Sequence, residues 1–191
     1  MLDSQLELLT SINQIFNTST YSTLFPIQGP QSIAVQEGCS STAYQDSLGN
    51  WTIGIGHTPA YPGEVWSNNT IFETFFNDIY SKAYLPVNQN LPWVTSLTLP
   101  RQWVNYNASF NMGINNWLQF TATLNAMQSG NLLGVLSGMQ QSQWYNQVTN
   151  RVKALMYQYY YNEWVIGYLT PEQDSQLDSL INTTFGVSIS I

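Results

Sequence analysis

The chain has 191 residues, 43% hydrophobic and 14% aromatic, enough apolar mass for one folded domain or two lobes sharing a core, and too aromatic for a disordered tail. Only 8% of residues are charged, and four basic against eleven acidic ones leave a net charge of −7, which excludes a phosphate-reading nucleic-acid binder because that affinity comes mostly from Lys and Arg. A single cysteine, Cys39, excludes an internal disulfide, a single histidine, His57, excludes a multi-His zinc centre, and no apolar run approaches the roughly 18 residues of a membrane span.

Leu2, Leu6, Leu9, Ile12 and Phe16 recur at helical spacing and predict a short amphipathic helix over about 3–16. Residues 17–30, rich in Ser, Thr, Asn, Pro and Gly, read as a linker. Pro30 then opens a second short helix that runs through Glu37 and is ended by Gly38. Residues 43–57 read as a β-hairpin: Ala43 to Asp46, a turn over Ser47 to Asn50, and a return strand from Trp51 to His57. On that return strand Trp51, Ile53 and Ile55 share a core face, and Thr52, Gly54 and Gly56 share a small, polar face that a ligand could approach closely.

Thr70-x-x-Glu73 reads as a capping box. The stripe Phe72, Phe75, Phe76, Ile79 and Ala83 behind it predicts a helix linking two lobes and ending at Pro86. From about residue 100 the pattern is helical, punctuated by Gly113, Gly130 and Gly138, with a long segment from about Asn150 to Tyr168. Thr170-Pro171-x-Gln173 opens a final short helix. The sum is α+β: a small N-terminal lobe with one hairpin (about 30–70), an interlobe helix and a larger all-helical lobe (about 70–170), preceded by an extension over 1–29 and followed by an extra helix over 171–191.

Charge is lopsided. Asp3, Glu7, Glu37, Asp46, Glu64, Glu73 and Asp78 all precede the first basic residue, Lys82. Beyond it Lys82, Arg101, Arg151 and Lys153 balance Glu163, Glu172, Asp174 and Asp178. In so charge-poor a chain, carboxylates beside a glycine-rich strand stand out. Glu37 at a helix end, Asp46 at the end of one strand and Thr52 at the start of the next converge on the hairpin. Two carboxyl groups on separate elements suit glycoside cleavage, where one donates a proton to the leaving oxygen and the other stays ionised.

The run Glu37-Gly38-x-x-x-x-Ala43-Tyr44-x-Asp46-x-x-Gly49-x-x-Thr52-Ile53-Gly54-Ile55-Gly56-His57-Thr58 resembles the active-site signature of phage-type lysozymes, glycoside hydrolase family 24. Phe110-Asn111-Met112-Gly113, Phe120-Thr121-Ala122-Thr123-Leu124 and Trp144-Tyr145-Asn146-Gln147-x-x-Asn150-Arg151 extend the likeness, the last towards the T-even phage branch, over roughly 31–170. The resemblance implies a lysozyme-like fold, with Glu37 as general acid, Asp46 as second carboxylate and Thr52 holding the water. It also places Thr58, Phe110, Asn111 and Thr123 at the saccharide, Arg151 on the general acid, and His57 opposite Asp78 as a bracing ion pair. The implied reaction is inverting hydrolysis of the β-1,4 bond between N-acetylmuramic acid and N-acetylglucosamine of peptidoglycan, with no cofactor or metal and carboxyl groups roughly 6.5–9.5 Å apart.

Cys39 reads as a packed small hydrophobe, and Tyr159, Tyr160, Tyr161 and Trp164 as core or interface. The N-terminus has neither the basic nor the apolar stretch of a secretory signal, so a lytic enzyme of this kind is expected in the host cytoplasm until a pore-forming holin gives it access to the periplasm or wall. Competing readings keep the fold for chitin or another wall polysaccharide, or make the chain an idle wall-binding or virion module. The low charge predicts tolerance of acid, since few titratable groups means little self-repulsion as pH falls.

Overall fold

A computed structural model describes residues 2–46 and 49–186 of the chain. The hairpin turn expected over Ser47 to Asn50 therefore falls partly on Ser47 and Leu48, outside the described residues.

Helix α1 (Leu2–Thr18) is longer than the apolar spacing alone requires. A 3₁₀ turn (Thr20–Thr23) lies inside the expected linker, and α2 (Gln28–Glu37) starts two residues ahead of Pro30. Pro30 costs nothing there, because the first-turn N–H groups of a helix have no acceptor within it. The hairpin pairs β1 (Ser40–Gln45) with β2 (Trp51–Gly54) in a two-stranded antiparallel sheet, with Tyr44 opposite Thr52 and Gln45 opposite Trp51.

The return strand is shorter than the sequence predicts. Gly54 and Gly56 take φ of 64° and 68°, and the backbones of Ile53 and His57 exchange hydrogen bonds of 3.0 Å, so the chain reverses tightly instead of running extended to His57. The expected two-face alternation thus breaks at Gly54, although Ile53 and Ile55 are both buried. On the other edge of β1, Thr42 pairs with Val65, so a returning segment adds a short third rung that the sequence did not announce.

Helix α3 (Asn68–Asp78) is capped by Ser67, whose side chain accepts from the Thr70 N–H at 3.2 Å, not by the Thr70–Glu73 box. It does not stop at Pro86 either. A π-helical stretch (Ile79–Tyr84) leads into α4 (Leu85–Asn90). The Lys82 carbonyl, which the missing Pro86 N–H would leave unpaired, accepts instead from Ser109 Oγ at 3.1 Å. After a 3₁₀ turn over Pro92–Ser96 come α5 (Leu99–Met112), α6 (Ile114–Trp117), α7 (Thr121–Ser129), α8 (Leu132–Gln140) and α9 (Gln143–Gln147). Gly113 and Gly130 end helices as expected, but Gly138 lies inside α8. A Cβ there would sit 2.2 Å from Thr123 Oγ1, so its role is to let α7 and α8 cross closely.

Helix α10 (Thr149–Tyr161) ends at Asn162, which adopts a left-handed φ of 58°, well short of the expected Tyr168. Helix α11 (Pro171–Phe185) opens with the Thr170/Gln173 capping box the sequence showed.

One continuous apolar core runs through both lobes. Ile12 and Phe16 of α1, Phe75 and Phe76 of α3, Trp103 of α5, Trp117 of α6, Met156 of α10 and Leu177 and Ile181 of α11 are all buried in it. Each such side chain contributes about 1.5–3 kcal/mol by leaving water. Tyr159 is buried too, with Tyr160, Tyr161 and Trp164 packed against the core, which is the structural role expected of that run. Cys39 is exposed, contrary to the packed position expected, because it sits in the turn between α2 and β1. No helix among the described residues is long and apolar enough to cross a membrane.

Candidate active site

Glu37 is the last residue of α2, and Gly38, at a φ of 75°, turns the chain away from it into β1. The carboxylate is held by Arg151 and packs close to Gly56. Arg151, 5% exposed on α10, donates from Nη2 to Glu37 Oε1 at 2.7 Å. On the opposite flank, a Cβ on Gly56 would lie 3.1 Å from Glu37 Oε2. Gly56 is therefore small because Glu37 itself occupies the space, and Gly54 is small because the Trp66 ring lies 3.2 Å from its would-be Cβ. Neither glycine is left open for a ligand, which corrects the expectation from the strand pattern.

Asp46 closes the hairpin. Its Oδ1 accepts the Asn50 N–H at 2.8 Å and its Oδ2 the Asn50 Nδ2 at 3.1 Å. Thr52, 4% exposed, donates from Oγ1 to the Asn50 carbonyl at 3.3 Å. Asp46 and Thr52 thus close on the same residue, as the hairpin predicts. Tyr44, across the ladder from Thr52, lies beside both acids: burial pushes its phenol pKa up first, and the negative charges of Glu37, Asp46 and Cys39 push it further.

A cleft of about 440 Å³ opens beside Glu37 and Arg151, and its other walls are uncharged: Gln36, Asn111, Gln147, Thr149, Asn150 and Tyr168. Amides and hydroxyls suit the hydroxyl and acetamido groups of a sugar. Gln36 anchors this wall, accepting from Asn107 Nδ2 at 2.9 Å and donating to the Gly167 carbonyl at 2.7 Å.

The remaining expected residues separate. Asn111 lines the cleft, its Oδ1 accepting from Trp144 Nε1 at 2.7 Å. Phe110 is half-buried and meets Phe75 edge-on at 6.0 Å, a packing contact. Thr123 is 2% exposed and wedged against Gly138, so the placement at the saccharide is corrected: helix crossing, not the cleft, holds it. Thr58 is exposed in the loop after the hairpin and is not part of the cleft lining. His57 Nδ1 meets Asp78 Oδ2 at 2.7 Å, and Lys82 Nζ reaches the same oxygen at 2.9 Å, a second partner the sequence reading did not name.

Sequence reasoning also missed Tyr44, Gln36 and Tyr168. Tyr44 stood inside the signature, where its alternation with Asp46 put both on one side of the strand. Gln147 and Asn150 stood inside the quoted Trp144-to-Arg151 block. Nothing local marks Tyr168, which reaches the cleft only because α10 stops at Asn162.

A helix-borne carboxylate held by a buried arginine, at a cleft otherwise lined mostly by amides and hydroxyls, suits a sugar-cleaving hydrolase, whereas the second carboxylate, Asp46, and Thr52 stay on the hairpin and are not among the residues lining that cleft. The phage lysozyme family profile matches residues 34–168. The chain belongs to the phage lysozyme family, whose enzymes hydrolyse peptidoglycan. No curated protein sequence matches it. Helix α1 precedes the matched span and α11 follows it.

Proposed function

We propose that the protein is a muramidase that cleaves the β-1,4 bond between N-acetylmuramic acid and N-acetylglucosamine with inversion. Glu37 gives its proton to the bridging oxygen as the C1–O bond breaks. Asp46, with Thr52, orients a water on the opposite face of the ring and takes its proton as the new C1–O bond forms. Both carboxyl groups return to their starting states by exchange with solvent.

The observation that carries this reading is Glu37 fixed at the edge of the cleft, with Oε1 on Arg151 at 2.7 Å. Arg151 sets the direction of the carboxyl group, which a proton donor needs more than it needs exposure. Host-cell lysis is the biological setting we infer, with the protein held in the host cytoplasm until a holin pore admits it to the periplasm or wall.

Purified protein with murein sacculi at several pH values, beside Glu37→Gln, tests the reading. Turbidity loss abolished by Glu37→Gln supports it. Cleavage of chitin oligomers but not murein reassigns the sugar, and tight co-sedimentation with the wall without cleavage reduces the chain to a binding module.

A further inference from the structure

The cleft continues past Glu37. A second cavity of about 300 Å³ is lined by Asn150, Lys153, Tyr168, Leu169, Pro171 and Asp174. Asn150 and Tyr168 line both cavities, so the two spaces adjoin at the Tyr168 ring. Leu169, Pro171 and Asp174 lie beyond the span matched by the family, Leu169 on the segment that leads into α11 and the other two in its first turn.

We propose that this second cavity is a further subsite for a neutral sugar ring of the glycan strand, an N-acetylglucosamine unit in a peptidoglycan substrate. The proposal rests on the muramidase reading for the identity of that strand. Its volume lies at the lower end of small-molecule sites, on the scale of one sugar residue.

The lining chemistry is that of a pyranose, which has an apolar C–H face and an equatorial rim of hydroxyl and acetamido groups. Tyr168 is 47% exposed, and its hydroxyl donates to the Gln36 carbonyl at 3.4 Å, so the ring is steadied from one end while a face stays open. Leu169 and Pro171 supply further apolar surface, and the exposed Asn150 amide can donate to and accept from the rim.

Charge argues against the alternatives. The Lys153 ammonium, its side chain 10% exposed, is held by Asp174 at 2.5 Å and Asp178 at 2.7 Å, so no free cation is offered to a carboxylate or phosphate. Two carboxylates against one ammonium leave the site repelling anions. A ring without charge fits, whereas a muramic acid bearing its lactyl carboxylate does not.

The test uses Glu37→Gln protein, which binds without turning over, and peptide-free strands of alternating N-acetylglucosamine and N-acetylmuramic acid of increasing length, titrated by calorimetry. Affinity should rise with each sugar until both cavities are filled. Leu169→Ala in that background, at a residue that lines only the second cavity, should cost several-fold on strands long enough to reach it and leave disaccharide affinity nearly unchanged, with Leu169→Met restoring the long-strand gain. Amide resonances of Leu169 and Asp174 in ¹⁵N-labelled Glu37→Gln protein should move with the long strand only, a measurement that needs no further variant.

A loss that is equal at every length, no loss at all, or unmoved Leu169 and Asp174 resonances overturns the subsite. If wild-type protein cleaves murein and these binding results fail, the subsite alone is wrong. If length-graded binding is found and murein is not cleaved, the muramidase reading is wrong and the sugar site stands.

Discussion

Gly54 and Gly56 form a matched pair that separates folding from chemistry. Both sit at left-handed φ, 64° and 68°, so alanine at either costs about 1–2 kcal/mol of backbone strain. For a chain of this size that lowers Tm by about 2–8 °C in each case. Their neighbours differ. At Gly54 the new Cβ meets the Trp66 ring at 3.2 Å and Ile71 Cγ2 at 3.7 Å. At Gly56 it meets Glu37 Oε2 at 3.1 Å and Cδ and Cγ at 3.4 Å, while Oε1 is fixed by Arg151 at 2.7 Å. The carboxyl group can relieve the contact only by rotating off Arg151 or swinging away from the cleft. A misplacement approaching 1 Å at a proton donor costs about 100-fold in rate. Gly56→Ala should therefore lose about 10–100-fold in kcat with KM nearly unchanged, whereas Gly54→Ala should melt similarly early and keep most of its turnover. The assay is murein clearance at a temperature where both variants are folded, with melting followed by circular dichroism. Equal losses of activity in the two variants would show that the small lobe's stability, not the fit of Gly56 to Glu37, is what activity depends on.

Three further outcomes follow from other parts of the molecule. Asp78 is 4% exposed and receives His57 and Lys82 on one oxygen, so Asp78→Asn should cost about 1.5–3 kcal/mol near neutral pH and leave turnover nearly intact; a large activity loss with unchanged melting would contradict this. Burial raises the Tyr159 phenol to about 12 against the opposing charge of Arg101, and burial also raises Tyr106. Lys153 moves the same way: burial pulls it down, but its hydrogen bonds to Asp174 and Asp178 outweigh that. Folded-state values above the unfolded ones mean that this stability is complete below about pH 10 and lost as pH rises through about 12, which near-ultraviolet dichroism against pH would show; unfolding already complete by about pH 9 would refute it. Finally, eleven acids in 191 residues give little self-repulsion in acid, so Tm should decline slowly from about pH 7 to about pH 4; a maximum above pH 7 with collapse by about pH 4 would count against the idea.

What the sequence made legible is local. The capping box at Thr170, the glycines ending α5 and α7, the apolar stripe of α3 and the Asp46–Thr52 closure depend on neighbours a few residues apart. Several of the failures involve a partner far along the chain. The helical path from α3 runs on past Pro86 in α4, where Ser109, 27 residues from Lys82, satisfies the Lys82 carbonyl. Thr123 turns inward because Gly138 lets a second helix press against it. Gly56 looked like room for a ligand because nothing in a strand pattern says that Glu37 will return to fill the space. The cap of α3 is the local exception: Ser67, three residues ahead of the expected Thr70 cap, accepts the Thr70 N–H. The grip of Arg151 on Glu37 spans 114 residues, and it was anticipated from the family likeness rather than from any property of the arginine itself.

The scarcity of charge becomes intelligible from where the basic residues went. All four make contacts within the molecule, although Lys82 stays exposed. Lys82 joins His57 on Asp78, bracing the interlobe helix against the hairpin lobe. Arg101 donates to the Tyr159 carbonyl at 2.9 Å and lies 5.3 Å from that residue's ring, joining α5 to α10. Arg151 joins α10 to α2 through Glu37, and Lys153, two residues on, joins α10 to α11 through Asp174 and Asp178. Helix α10 is thus tied to three others by cations, and the tie to α2 is the one that aims the carboxyl group. Partly buried pairs of this kind are screened less by salt than surface pairs. With the cations committed, the cleft is left to amides, hydroxyls and tyrosines, which recognise a sugar through hydrogen bonds and ring faces rather than through attraction to the negative charge of a wall. Salt should therefore weaken substrate capture less here than it would for an enzyme that reaches an anionic wall through a basic surface.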